Sequence, residues 1–305
     1  MKPKLVVVLG PTAVGKSDVV QDLAAQIDAE IISADSQQVY RHMNIGTAKP
    51  STEQRKTIAH HLIDIVEPDE EFNAAMFRRF ATDSAKQIAR RGKQIIVCGG
   101  TGLYIKALTR GLFVGPGRDS QIRRALQSEI VEKGIGALYL RLEQVDPASA
   151  FSIHPNDRQR ITRALEVYQL SGRKISEWQK EHGFREGAFD VLKIGLNRPR
   201  PELYDLIDRR CERMITAGLV DEVKGLVAKG YSLNLKAMQS VGYRHAGLFL
   251  QGEMGLDDAV ALMKRDTRRL AKRQLTWFRG DKEIRWFHPE AERKNIEATT
   301  REFLD

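Results

Sequence analysis

Residues Gly10, Pro11, Thr12, Ala13, Val14, Gly15, Lys16 and Ser17 fit the pattern G-x-x-x-x-G-K-[ST], directly after the apolar run 5–9. A strand-length run before the pattern and a helical stretch after it form the context in which such a loop cradles phosphate. Its glycines let backbone N–H groups turn inward toward oxygen anions, and the helix N-terminus adds the positive end of its dipole. Lys16 supplies a full charge, and Ser17 supplies a hydroxyl that can bind Mg²⁺. The pattern asks for phosphate, not for a particular nucleotide. No N-K-x-D guanine reader occurs, and the apolar run 94–98 ends in Gly99 and Gly100 with no acid to hold a metal. Both absences argue against a motor-type NTPase and leave small-molecule kinases open.

Asp35 follows the second apolar run, in ISADSQQVY. Strand tips of an open α/β sheet face the ligand crevice, so Asp35 is expected beside the cradle, as a Mg²⁺ ligand, as a proton acceptor, or as both. Asp64, in HHLIDIVEP, is followed by more apolar sequence and is assigned no chemistry. In CGGTGLYIKAL the glycines allow close backbone approach to a ligand, and Thr101 stands at a helix start as a hydroxyl donor or a cap.

Two basic clusters suit a polyanion. In the first, Arg265, Arg268, Arg269 and Lys272 recur at three- and four-residue spacing with Arg273 at the border, and Met263, Leu270 and Trp277 are expected opposite. Nine basic and three acidic residues fall between Lys264 and Arg285, a large share of the net charge of +9. Arg158, Arg160 and Arg163 form the second cluster. Solvent-facing charge with internal ion pairs is the plainer account of both; together they favour RNA or DNA contact.

The elements that must position these groups alternate. Apolar runs at 5–9, 30–33, 61–66, 94–98 and 191–196 are strand-length, with helices predicted over Lys16–Gln26 and 73–90 between them. That alternation predicts an α/β fold, a P-loop kinase-like core with a parallel sheet and helices on both faces. After the turn-rich stretch 111–119 it gives way to mostly helical sequence, where Ile161, Leu165 and Tyr168 mark an apolar face. The expected organisation is a core of 1–116, a helical insertion of 117–188, and the rest of the core at 189–305. The sequence is expected to be helical through Arg279, with EIRWF as a last strand. Hydrophobic residues at 42% and charged residues at 29% are ordinary for a soluble protein. With two distant cysteines and no metal-spaced histidines, neither a disulfide framework nor a zinc site is expected. No stretch approaches membrane-spanning length, and a cytoplasmic, membrane-free setting is expected.

GPTAVGKS, ISADSQQVYRHMNIGTAKP, GGTGLYIKAL, HPNDRQRITRALEVY, VGYR and KRQLTWFRG occur in the same order as in tRNA dimethylallyltransferases, which the chain resembles over nearly its whole length. The resemblance implies transfer of a dimethylallyl group from dimethylallyl diphosphate to N6 of adenosine 37 in tRNA, with Mg²⁺, by a protein expected to be a monomer. Gly10 to Ser17 would hold the diphosphate, helped by Thr101 and Arg213. Lys16, Asp35 and Thr101 would be catalytic, with Asp35 the candidate base and Ser17 a Mg²⁺ ligand. The tRNA would meet Asp35, Ser36, Gln37, Gln38, Thr101 and Arg123. It would further meet Gln159, Arg160, Ile161, Thr162 and Arg163 of the insertion, which would clamp the anticodon stem-loop against the core. Gln239, Ser240, Val241, Gly242, Tyr243 and Arg244 would add contacts, as would Lys272, Arg273, Gln274, Leu275, Thr276 and Trp277. Relatives often carry Arg where this chain has Gln37. With Cys211 the last cysteine, the zinc finger of eukaryotic relatives is not expected. A small-molecule kinase is the alternative, carried by the cradle and Asp35, to which the basic clusters are surplus. A non-catalytic RNA-binding P-loop protein is a third.

Overall fold

A computed structural model describes residues 2–113, 115–183 and 187–305 of the chain. In order come β1 (Lys4–Leu9), α1 (Lys16–Gln26), β2 (Ala29–Ser33), α2 (Thr52–Thr57), β3 (His60–His61), α3 (Ala74–Arg90), β4 (Gln94–Gly99) and α4 (Gly102–Arg110). Five helices follow: α5 (Ser120–Lys133), α6 (Ile135–Val145), α7 (Pro147–Ser152), α8 (Arg158–Ser171) and α9 (Ile175–His182). The chain ends with β5 (Asp190–Leu196), α10 (Arg200–Thr216), α11 (Leu219–Ala228), α12 (Tyr243–Leu250), α13 (Leu256–Arg279), β6 (Ile284–Phe287) and α14 (Arg293–Leu304).

The chain divides into two compact units, Met1–Thr109 with Gly187–Asp305, and Arg110–Glu186. The insertion edges expected at 117 and 188 compare with 110 and 186 here. Val114, within the turn-rich stretch, lies outside the described residues.

In the first unit the strands run in the order β3-β2-β4-β1-β5-β6, every pair parallel. A strand flanked on both sides of a parallel sheet is covered on both faces, so it reads as an unbroken apolar run; β1 (KLVVVL) is buried from Leu5 to Leu9 for this reason. From β1 to β2 the chain steps toward the β3 edge, and from β3 to β4 it steps back. Right-handed crossovers therefore put α1 and α3 on opposite faces. Register aligns Leu9 with Gly99 and Ser33 with Cys98. The loops after β1, β2 and β4 thus leave the sheet side by side, carrying Gly10, Asp35 and Thr101.

One expected strand shrinks. The ladder is reduced to His60–His61 with an isolated bridge from Val66 to Tyr40, because Leu62 (φ 63°) and Asp64 (φ 57°) between them adopt the left-handed region. The turn points the Asp64 carboxylate at Lys49 (2.6 Å) and Arg55 (2.7 Å), a structural clamp. The second unit has its own core, with Leu126, Ile130, Leu138, Leu142, Ile161 and Leu165 in its centre. Tyr168, expected on that buried face, is 37% exposed, and Val167 is buried instead. No described helix is long and apolar enough to cross a membrane.

Candidate active site

The phosphate loop begins where β1 ends. Gly10 has φ 153°, and a Cβ there would stand 2.6 Å from the Leu196 carbonyl oxygen, so only glycine lets the loop pass this close to β5. Ala13 takes a left-handed φ of 65° and Gly15 one of 100°. Helices α2, α3, α5 and α8 begin at side-chain caps from Ser51, Asn73, Asp119 and Asp157. Helix α1 begins at Gly15 with none. Its first-turn N–H groups are left for a ligand, which an anion satisfies best.

Lys16 folds under the loop, donating to the carbonyl oxygens of Gly10 (3.0 Å) and Pro11 (2.7 Å). Burial pushes its pKa down to about 8, with Arg210 adding to the effect and Asp35 opposing it. Arg210, on α10, is also pushed down by burial, and it has no hydrogen bond or ion pair among the described residues. Two cations with no carboxylate in direct contact among the described residues thus gather at the cradle, offset only at longer range by Asp35.

Asp35 follows β2. Its Oδ1 accepts from the backbone N–H groups of Gln37 (2.8 Å) and Gln38 (3.4 Å), so the local turn fixes the carboxylate. Thr101 Oγ1 accepts from the Ser36 N–H at 3.1 Å, and the Thr101 N–H donates to the Ala34 carbonyl at 3.2 Å, tying the two loops together. Gln38 Oε1 accepts from the Ser33 hydroxyl, and its Nε2 donates to the carbonyls of Thr47 and Ala48. Gln37 Oε1 is buried with no partner.

These groups meet in one cavity of about 750 Å³, entirely within the first unit. Of the expected diphosphate group, Thr12, Ala13, Gly15, Lys16, Ser17 and Arg213 line it; Gly10, Pro11 and Val14 shape the loop from behind. Of the expected tRNA residues, Asp35, Ser36, Gln37, Gln38, Thr101, Gln239, Ser240, Val241 and Gln274 line it. Leu206, Met214, Met263 and Leu270 give it an apolar wall. Among the lining residues that escaped sequence reasoning, two have chemistry of their own. Arg210 is one helical turn before Arg213 on the same face, a spacing that shows the face but not that Arg210 is the deeper. Cys98 lines the cavity too, its thiol pushed up to about 11 by burial and so kept protonated.

Other expected contacts belong to the framework. Tyr243 is fully buried and donates its hydroxyl to Glu222, which also accepts from the N–H groups of Asn44, Ile45 and Gly46. Gly242 is a buried turn residue with φ 96°. Arg244 pairs with Asp266. Ile161 is fully buried in the core of the second unit, which removes its side chain from RNA contact. In that unit Arg123 (2.6 Å) and Arg163 (2.7 Å) converge on Glu166, itself 0% exposed. Burial alone would raise the Glu166 pKa; hydrogen bonds from Arg123 and Arg163 outweigh it and hold it at about 2. Gln159 and Arg160 are exposed and Thr162 half-buried.

The stripe on α13 divides. Arg268 pairs with Asp208, and Arg265 and Arg269 with Asp266, whereas Lys272 and Arg273 are exposed with no ion pair among the described residues. Thr276 is exposed and Leu275 half-buried. Trp277, expected on the buried side, is 43% exposed; Met263, Thr267, Ala271 and Phe278 form that side.

The IPP transferase family model matches residues 38–281. The chain belongs to the IPP transferase family. A tRNA dimethylallyltransferase of Geobacter metallireducens is 51% identical over 285 residues, 93% of this chain and 92% of the relative. One described as tRNA dimethylallyltransferase 2, from Syntrophus aciditrophicus, is 52% identical over 94% of this chain and 93% of its own. Among solved structures, the full-length tRNA isopentenylpyrophosphate transferase of Bacillus halodurans superposes with a TM-score of 0.74 at 38% identity, covering 99% of this chain and 97% of that one. A eukaryotic dimethylallyltransferase described as acting on tRNA gives 0.75 at 30% identity, covering 90% and 70%. Family membership carries the α/β prenyltransferase architecture, and none of these matches favours a kinase.

Proposed function

We propose that the chain transfers the dimethylallyl group of dimethylallyl diphosphate to N6 of adenosine 37 in a tRNA anticodon loop, acting as a cytoplasmic monomer. The observation that carries this reading is the shared cavity: a phosphate cradle with surplus positive charge, an apolar wall, and a fixed carboxylate around one space. The diphosphate would lie against the loop N–H groups, Lys16 and Arg210, with the five-carbon chain along Met214, Met263 and Leu270. As the allylic C–O bond breaks, its electron pair leaves with the diphosphate. Preorganised cations and amides stabilise that charge without reorganisation. The N6 lone pair forms the new C–N bond, and the proton it sheds goes to Asp35. A general base contributes about 10²–10⁴-fold. The adenine must leave its stack to enter, as single-stranded loop bases can.

Mg²⁺ takes few protein oxygens and keeps phosphate and water ligands. The Ser17 hydroxyl and the Asp35 carboxylate line one cavity and fit that habit. Bound there, the ion would offset negative charge on the departing diphosphate. Exposed Arg160, Lys272 and Arg273 would meet the RNA backbone.

The test is transfer of labelled dimethylallyl diphosphate to unmodified tRNA by the purified protein. Label in tRNA, independent of ATP, is expected. Phosphate transfer from ATP with no labelled tRNA would contradict it.

A further inference from the structure

Gln274 is expected from the family resemblance to touch RNA, yet its amide is occupied within the protein. Its Oε1 accepts from the Thr12 N–H of the phosphate loop at 2.9 Å. Its Nε2 donates to the Gly100 carbonyl at 3.0 Å. One side chain of α13 therefore joins the loop after β1 to the loop after β4. Gly100 immediately precedes Thr101, whose hydroxyl accepts from Ser36 next to Asp35. The amide joins the cradle loop to the Thr101 loop, and the Thr101–Ser36 bond extends that link to the loop that carries Asp35. The fit is close: a Cβ on Gly100 would stand 2.3 Å from Gln274 Nε2. One turn on, a Cβ on Gly102 would stand 2.2 Å from Trp277 Cδ1, so the glycines of the β4–α4 loop accept two side chains of the same helix.

Outward, the same stretch of α13 presents Lys272 and Arg273, which have no ion pair among the described residues, and the half-exposed Trp277. We infer that Gln274 is a positioning residue: it holds the phosphate loop and the Thr101 loop at a fixed separation, and so joins the RNA-facing helix to the diphosphate cradle. A planar amide suits the task because it offers an acceptor and a donor at one end of a single side chain. Small displacements of positioned groups are costly, since a misplacement of about 1 Å can cost 10²-fold in rate. This rests on the prenyl-transfer reading for its consequence in catalysis, although the brace itself does not.

The experiment uses the full chain and two probes: calorimetric titration with inorganic diphosphate, and filter binding of unmodified tRNA. Gln274→Ala is expected to weaken diphosphate binding about 10-fold, equivalent to about 1.4 kcal/mol, and to change tRNA affinity less than about 2-fold. Gly100→Ala, whose new methyl displaces the amide, should weaken diphosphate binding similarly. In the Gln274→Ala background the same methyl enters vacated space, so the double variant should bind diphosphate like the single one. Unchanged or tighter diphosphate binding by Gln274→Ala, additive effects in the double variant, or a loss confined to tRNA affinity would each overturn the brace. If Gln274→Ala fails to fold, Gly100→Ala alone decides by the same diphosphate criterion. Failure of the wild-type chain to prenylate tRNA would instead count against the function, leaving the diphosphate titrations interpretable.

Discussion

The cations of the loop cavity and those of the helical unit are the same residue types held in opposite ways. Arg123 and Arg163 converge on the buried carboxylate of Glu166, so each guanidinium has an anion in direct contact and the two share its single negative charge. Lys16 and Arg210 have no carboxylate in direct contact, and burial pushes both of their pKa values down. A compensated buried charge is architecture, because removing one partner strands the other. An uncompensated one raises the energy of the empty protein and is relieved by an arriving anion. The difference supports the proposed diphosphate site in the cavity, and it shows Arg123 and Arg163 braced by Glu166 within their own unit.

The sharpest way to break that contrast is to remove its members. Lys16→Ala and Arg210→Ala should each lower prenyl transfer by about 10²–10³-fold, on the scale of losing one transition-state charge stabiliser. Their tRNA affinity should stay near that of the wild type by filter binding. Asp35→Asn should reduce kcat within the 10²–10⁴-fold range of a lost base while inorganic diphosphate still binds; unchanged kcat would remove Asp35 from the proton's path. Glu166→Gln should instead act on stability, costing about 3–5 kcal/mol in denaturant unfolding, with little effect on diphosphate affinity.

The two regions should also part in their response to pH. Glu166 has a native pKa of about 2 against an ordinary 4.5. Its folded-state pKa is depressed, so its contribution to stability is full above about 4.5 and is lost as pH falls toward 2. Lys16 is depressed to about 8 from 10.5. The empty native state binds fewer protons than the unfolded chain between those values, so this residue makes stability rise with pH across that window. On the proposed function, bound diphosphate would restore the proton, and its affinity should fall as pH rises above about 8, measured as a rising KM for the allylic donor. The smallest expected effect is on α13: Lys272→Ala should lower the salt slope of tRNA binding by about one phosphate contact.

Much of this was legible because local chemistry decided it. The predicted bounds of α1 match the structure, since the loop pattern itself sets where that helix begins; α3 starts one residue after its cap, Asn73. The strand expected over 61–66 failed because non-glycine residues at positive φ leave no mark in an apolar run. The resemblance placed Arg213 near the anion but said nothing of Arg210, because depth in a cavity is set by elements far away in sequence. The partners of Gln274 lie 262 and 174 residues away, and only the folded sheet brings them within hydrogen-bond reach.

The account stands most directly on one measurement: nucleoside mass spectrometry of unmodified tRNA incubated with the purified chain, dimethylallyl diphosphate and Mg²⁺. A dimethylallyl increment confined to adenosine 37, appearing without ATP and slowed about 10²–10³-fold by Lys16→Ala, is the predicted result. An unmodified adenosine 37, or a modification that requires ATP, would contradict it.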